Sequence, residues 1–386
     1  MTPRSLRLPR RICYLETQDR AFLAHRIHLG RAALAAGMDV HVIAPPGDAG
    51  EELCKAGFTY HPIKMQRAGV NPWSELSAAR ELANLYRKIR PDLVHHIALK
   101  SVLYGSAIAR SLGIPAVGSV TGLGYTFIPG GPRRIILREG ISVMLRAALA
   151  GASVHVIFQN PDDRALFVRK RLVREERTSL IAGSGVDTER FAFLPEPVSV
   201  PRVLIATRML KDKGVVEAVE AARLLRQRGV HFELLLAGDT DPENPASIAP
   251  QQLRTWHEEG IAQWLGQSKD IARLLQTSHL ACLPSYREGL PLFLAEAASA
   301  GRAAVTTDVP GCRSVVEHGR TGLLVPVREP RALADSLQAL LSDAERRATM
   351  GRAAHALALR EFAKERVNEA IFRIYSSLLA RAGAGS

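Results

Sequence analysis

Two glutamates, Glu288 and Glu296, stand eight positions apart in SYREGLPLFLAEAASAG (285–301), directly after the apolar run LACLPS. Carboxylates are good acceptors for paired sugar hydroxyls. Pro291 suits the first turn of a helix, where its missing N–H costs nothing. Gly289, Leu290, Pro291 and Leu292 then form the opening of that helix, and its unpaired N–H groups make a ready diphosphate site. Glu296 falls five residues beyond Pro291, about 7.5 Å along the axis. The spacing puts one carboxylate at each end of an elongated ligand with phosphates between them. It is equally the spacing of a surface charge and a helix charge.

A second group of residues could meet the same phosphates. In ATRMLKDKG (206–214), Arg208 and Lys213 leave a strand end and precede a helix. Two cations there would neutralise the charge that develops on a leaving diphosphate. The loop lacks GxxxxGK[ST], so it is not a Walker loop. In HHIALK (95–100), His95, His96 and Lys100 follow an apolar run and offer polar contacts to a ligand. Adjacent histidines on a strand face opposite sides, so they cannot both hold one metal comfortably. Gly122 and Gly124 of SVTGLGYTF (119–127) allow close backbone approach, beside Thr121. AGSGVD (182–187) is a further glycine-bearing loop. Near the start, QDRAFLAHR (18–26) brings Asp19, His25 and Arg26, with Arg26 suited to an anionic acceptor. Asp239 and Asp241 form a DxD beside Pro242 and Pro245, where aspartate is an ordinary turn residue.

These residues need elements to position them. Short apolar runs alternate with helical patterns along the chain. Strands are expected at 11–16, 39–44, 92–97 and 116–120, and again at 203–208, 232–238, 280–285 and 303–308. Helices are expected near 23–36, 74–90, 101–112, 214–228, 290–300 and 330–342. Such alternation predicts α/β architecture, with parallel sheets covered on both faces. Two sets predict two doubly wound, Rossmann-like domains, whose ligands bind at the carboxyl ends of the strands. The proline-bearing segment FAFLPEPVSVPR (191–202) reads as the linker. The expected division is 1–195, 196–360 and a closing helix, 361–386, with apolar residues at helical spacing.

Composition sets further bounds. The chain has 386 residues, 47% hydrophobic and 23% charged, which excludes general disorder. Its net charge is +13. Residues 1–195 hold 27 basic and 16 acidic residues, against 24 and 22 in 196–386. The basic half therefore calls for an anionic neighbour. Residues 132–151 mix Arg133, Arg134, Arg138 and Arg146 with Ile135, Ile136, Leu137 and Met144. Residues 165–177 add Arg169, Lys170, Arg171 and Arg174. A basic amphipathic helix of this kind suits an anionic bilayer face. With aromatics at 5%, the basic stretches lack stacking residues for nucleic acid. Cys13, Cys54, Cys282 and Cys312 lie far apart, so they read as small buried hydrophobes. The apolar run after the basic N-terminus is too short for a signal peptide, and no apolar run reaches 18 residues. The expected place is the cytoplasm, peripheral on the inner face of a bacterial plasma membrane.

Taken together, Glu288 and Glu296 after Arg208 and Lys213 resemble the retaining family 4 glycosyltransferases of GT-B fold. HHIALKSVLYGSAIARSLGIP, VTGLGYTF, FQNPDD, AGDTDPENP and TTDVPGCR resemble the branch acting on polyprenyl-diphosphate-linked glycans. The resemblance implies two domains facing across a cleft, with the acceptor on the N-terminal one. It implies a UDP-sugar as co-substrate, no metal and no other cofactor. It also implies that Glu296 binds ribose, that Glu288 holds the donor sugar, and that Arg208 and Lys213 neutralise the diphosphate. Thr121 stands where many members have a histidine touching the donor sugar. A nucleotide-sugar epimerase, a hydrolase or a basic nucleic-acid or membrane-binding module are the competing readings.

Overall fold

The computed structural model describes residues 6–65, 72–123, 132–268 and 270–383. The chain divides into two units, 1–184 with 364–386, and 185–363.

Among the described residues, the first unit forms a seven-stranded parallel sheet. Its strands are β1 (Arg11–Leu15), β2 (Asp39–Ala44), β3 (Thr59–Pro62), β4 (Leu93–Ile97), β5 (Ala116–Val120), β6 (Val154–Phe158) and β7 (Thr178–Leu180). The order is β3-β2-β1-β4-β5-β6-β7. Register runs Ile12↔Leu93 between β1 and β4, and His95↔Val117 between β4 and β5. Every residue of β4 and β5 is buried, as a sheet covered on both faces requires. One face carries helices Pro72–Ile89, Leu99–Ser111 and Pro132–Leu149, through Leu82, Val102 and Leu145. The opposite face packs Ile12, Tyr14 and Val40 against Phe22 and Leu29, and against the last helix, Lys364–Gly383. That helix contributes Val367, Ile371, Phe372, Tyr375 and Leu378.

The second unit forms a six-stranded parallel sheet. Its strands are β8 (Arg202–Ala206), β9 (Glu233–Ala237), β10 (Gln263–Gly266), β11 (Leu280–Leu283), β12 (Ala303–Thr307) and β13 (Gly322–Val325), in the order β10-β9-β8-β11-β12-β13. In each sheet the order reverses beside the unit's first strand, between β1 and β4 and between β8 and β11. In open α/β sheets the carboxyl edge beside such a reversal is where ligands bind.

Several expectations change. The proline segment 191–202 is not a free linker, because it lies within the second unit. Buried Arg302 donates to the carbonyls of Leu194 (2.8 Å) and Pro195 (3.3 Å). Arg347 pairs with Glu196 at 2.8 Å. Proline-rich backbone lacks N–H donors but keeps its carbonyls, and buried Arg302 takes up two of them while Arg347 holds the Glu196 carboxylate. Strands β3, β6, β7, β10 and β13 were not expected from the sequence. The expected helix 23–36 is two helices, Asp19–His25 and Ile27–Ala35. Cys54 is exposed, unlike Cys13, Cys282 and Cys312. The basic stretch 165–177 is no continuous helix. Its helix ends at Arg169, and Arg171 has a left-handed backbone, φ +53°. Among the described residues, no helix is long and apolar enough to cross a membrane.

Candidate active site

The carboxyl edge beside β8 and β11 gathers the strongest residues of the second unit. After β8 the chain turns through a short 3₁₀ turn, Lys211–Lys213, into helix Val215–Gln227. After β11 it turns through 284–291 into helix Leu292–Ser299. The two loops are packed together. The Tyr286 N–H donates to the Asp212 carbonyl at 2.9 Å. Gly214 has φ +72°, and a Cβ there would sit 2.0 Å from the Pro284 oxygen. Glycine is what permits this approach. Gly311, at φ +79°, lies so close that a Cβ would meet the Gly289 oxygen at 2.5 Å.

Lys213 Nζ lies 2.6 Å from Glu288 Oε1, and Ser285 Oγ donates to the same oxygen at 2.7 Å. Both members of the ion pair are mostly buried, with side chains 19% and 12% exposed. Tyr286 donates its hydroxyl to Glu217, and the Arg328 guanidinium stacks 4.5 Å over its ring. Burial, reinforced by Glu217, pushes the Tyr286 phenol up to about 12. These contacts fix the loop that carries Glu288.

Helix Leu292–Ser299 begins two residues later than expected, with Pro291 as its N-cap rather than in its first turn. Among the described residues, the N–H groups of Leu290, Leu292 and Phe293 meet no protein acceptor. They are the orphan donors of a helix opening. Glu296 lies in the second turn. Burial raises its carboxyl to about 8, against the opposing charge of Arg190. Among the described residues, that carboxyl accepts no hydrogen bond. A desolvated, under-bonded carboxyl of this kind is poised for hydroxyl donors from a ligand.

Arg208 is about half exposed and pairs with Asp241 at 2.5 Å. Sequence reasoning treated Asp241 as a turn residue and missed the pair. The DxD does not act as a unit, since Asp239 receives the N–H of Thr240 at 2.8 Å.

The first unit requires corrections. His95 and His96 are fully buried and take no part in an open surface. His95 bonds Tyr375 (2.6 Å) and Ser119 (2.7 Å), while His96 bonds Tyr86 and Ser106, both at 3.1 Å. Alternation sends the rings to opposite faces, and each face supplies partners. Asp19 is buried too, and its carboxylate caps the N–H of Ala49 at 2.9 Å. Lys100 pairs with Glu75 at 2.7 Å. His25 is exposed, whereas Thr121 and Gly122 are half-buried. Gly124 lies outside the described residues, as do the side chains of Arg133 and Arg134.

Arg26 stays a candidate of a different kind, because it is only 2% exposed. It sits in the field of Glu16, which follows β1 and is 4% exposed. Burial pushes the Glu16 carboxyl up to about 7, against hydrogen bonds from Thr17 and the charge of Arg26. Glu16 was missed because nothing local marks it as buried.

Two family models match the chain. A glycosyl transferase 4-like model covers residues 11–163, and a glycosyl transferases group 1 model covers 200–343. The chain is 27% identical to the N,N'-diacetylbacillosaminyl-diphospho-undecaprenol α-1,3-N-acetylgalactosaminyltransferase of Campylobacter jejuni, over 81% of this chain and 85% of that protein. Its fold matches sucrose-phosphate synthase from Thermosynechococcus elongatus with a TM-score of 0.80, at 20% identity, over 96% of this chain and 100% of that one. It also matches the Anabaena protein HepE, solved with UDP-glucose, with a TM-score of 0.75, at 19% identity, over 95% and 99%. The architecture is GT-B.

Proposed function

This chain belongs to the glycosyltransferases, a 4-like domain followed by a group 1 domain, and we propose from that premise that it moves a sugar from a UDP-sugar to a polyprenyl-diphosphate-linked saccharide in bacterial surface-glycan synthesis. One observation carries the reading. The Lys213–Glu288 pair stands beside the N–H-rich opening of helix Leu292–Ser299, and under-bonded Glu296 lies one turn further on. The solved complex of HepE with UDP-glucose supports a UDP-sugar donor. The Campylobacter relative, whose name gives a diphospho-undecaprenol substrate, supports the lipid-linked acceptor and an N-acetylhexosamine as the sugar.

The roles follow from the chemistry. Glu296 accepts the ribose hydroxyls. The N–H groups of Leu290, Leu292 and Phe293 and the cations Arg208 and Lys213 hold the diphosphate. Glu288 accepts hydroxyls of the donor sugar. The bond from the sugar's anomeric carbon to the diphosphate breaks, and the charge that develops on the leaving oxygen meets Arg208 and Lys213 without a metal. The acceptor hydroxyl attacks from the side the diphosphate leaves, and a phosphate oxygen takes its proton. The anomeric configuration is then retained and no protein nucleophile is required.

Helix Pro132–Leu149 offers a membrane contact. Ile135, Ile136, Leu137, Val143 and Met144 are 47–75% exposed on it, while Leu145 and Leu149 hold it to the core. Arg169, Arg171 and Arg174 lie exposed nearby in sequence. Arg146 is spent on the carbonyls of Lys170 and Arg171.

The test is a donor screen with UDP-N-acetylgalactosamine, UDP-N-acetylglucosamine, UDP-galactose, UDP-glucose and GDP-mannose against a polyprenyl-diphosphate saccharide, with NMR analysis of the product anomer. The reading expects an acceptor-dependent, anomer-retaining product from a UDP-sugar. Sugar release or epimerisation without acceptor would contradict it.

A further inference from the structure

Asp241 is a well-anchored, mostly buried carboxylate paired with a half-exposed cation. The loop that bears it is tied to the 208–211 segment along its length. Met209 N–H donates to the Asp239 carbonyl (2.9 Å), Lys211 N–H to Ala246 (2.8 Å) and Ile248 N–H to Met209 (2.9 Å). Asp241's own N–H donates to Ser247 Oγ at 3.0 Å, and its carbonyl receives the Asn244 N–H at 2.8 Å. Its side chain is 14% exposed, against 48% for Arg208. The backbone carrying the carboxylate is anchored, and Arg208 is the longer and more exposed of the two partners.

The other cation is arranged differently. Lys213 and Glu288 are both mostly buried, and Ser285 braces the carboxylate. Both partners of that pair are held, carboxylate and cation alike. In the Arg208–Asp241 pair the carboxylate is mostly buried but the guanidinium is half exposed, and solvent screening on that side keeps the pair exchangeable.

We propose that Asp241 is an internal counter-ion that occupies Arg208 until a nucleoside diphosphate displaces it, so that Asp241 sets how tightly the diphosphate product is held and how readily it leaves. The inference rests on the diphosphate reading of Arg208. A ligand phosphate must compete with Asp241 for the guanidinium, and the same competition returns Arg208 to Asp241 when the diphosphate departs. Asp241 touches no reacting atom in this scheme and acts only through Arg208, as a positioning residue.

Calorimetric titration of UDP into the full chain tests it, using wild type, Asp241→Asn, Asp241→Ser, Arg208→Ala and the double variant Arg208→Ala/Asp241→Asn. Asparagine and serine both suit the turn, and ligand-free melting curves establish that each variant folds. The expected result is UDP bound about two- to fivefold more tightly by both Asp241 variants, the range an exposed ion pair supplies. Turnover studies should show the donor KM and the UDP inhibition constant falling together. In the double variant the gain should vanish, since Asp241 has lost the residue it acts through. Unchanged or weaker UDP binding in folded Asp241 variants, with Arg208→Ala still weakened, would overturn the counter-ion role alone. Arg208→Ala binding UDP like wild type would instead overturn the diphosphate reading beneath it.

Discussion

Glu296 is the side chain on which local chemistry and proposed role meet most closely. Its place one turn inside a helix that follows a glycine–proline loop could be read from spacing alone. Its desolvation could not, because it depends on how the helix packs. Raised from an ordinary 4.5 to about 8, the carboxyl keeps its proton in the folded chain over a window where the unfolded chain has lost it. Folding then binds extra proton, so stability falls as pH rises from about 5 to about 8. Ribose hydroxyls prefer the ionised form, so UDP affinity rises over the same window. In Glu296→Gln both trends should flatten, which melting curves and UDP titrations at pH 5, 6.5 and 8 would register. Other residues were illegible for a plainer reason, since their partners are remote in sequence. Arg208 finds Asp241 33 positions away, and His95 finds Tyr375 280 positions away. The adjacent histidines were correctly read as facing opposite sides, but only the packed helices show that both faces are closed.

At the scale of elements, the central strands of each sheet, rich in buried apolar residues, were the most legible. β2 and β5 have the bounds the apolar runs predict, and β1, β4, β8, β9, β11 and β12 differ by a residue or two at their ends. Apart from β6, which is five residues long and mostly buried, the strands that escaped are short edge strands. β3 reads TYHP with no fully buried residue, and β7 has three residues. Edge strands carry little hydrophobic signal because one side meets fewer neighbours. Helix Pro132–Leu149 has the opposite character, with more apolar surface than its core needs. If that surface meets a bilayer, Ile136→Asp with Leu137→Asp should leave the melting temperature within a few degrees of wild type. The same change should reduce co-sedimentation with vesicles containing anionic lipid several-fold, and slow transfer to a lipid-linked acceptor more than to a short soluble analogue. Equal sedimentation of variant and wild type would remove this helix as the membrane contact.

The whole molecule shows why sequence order misplaced the first boundary. Proline content marks 191–202 as extended, yet extended backbone can be packed, and here its carbonyls satisfy Arg302. The division falls instead at the glycine-bearing loop AGSGVD, between Ser184 and Gly185. The last helix follows the second unit in sequence but belongs to the core of the first. It brings Val367, Ile371, Phe372, Tyr375 and Leu378, each 5% exposed or less. At about 1.5–3 kcal/mol per large apolar side chain, their loss rivals the whole stability of a domain. A chain ending at Ala363 should therefore lose the first unit's folding transition while the second keeps its own, as two-phase denaturation with limited proteolysis would show.

A diphosphate held at the edge of β8 and β11 by two cations and a helix opening is the centre of the proposed chemistry. The most direct measurement is calorimetric titration of UDP into wild type and into the Arg208→Ala/Lys213→Ala double variant, both shown to be folded by their melting curves. Charge-assisted hydrogen bonds of this kind predict UDP binding by wild type and a loss of at least about tenfold in the double variant. Equal affinity in the two proteins would contradict the account.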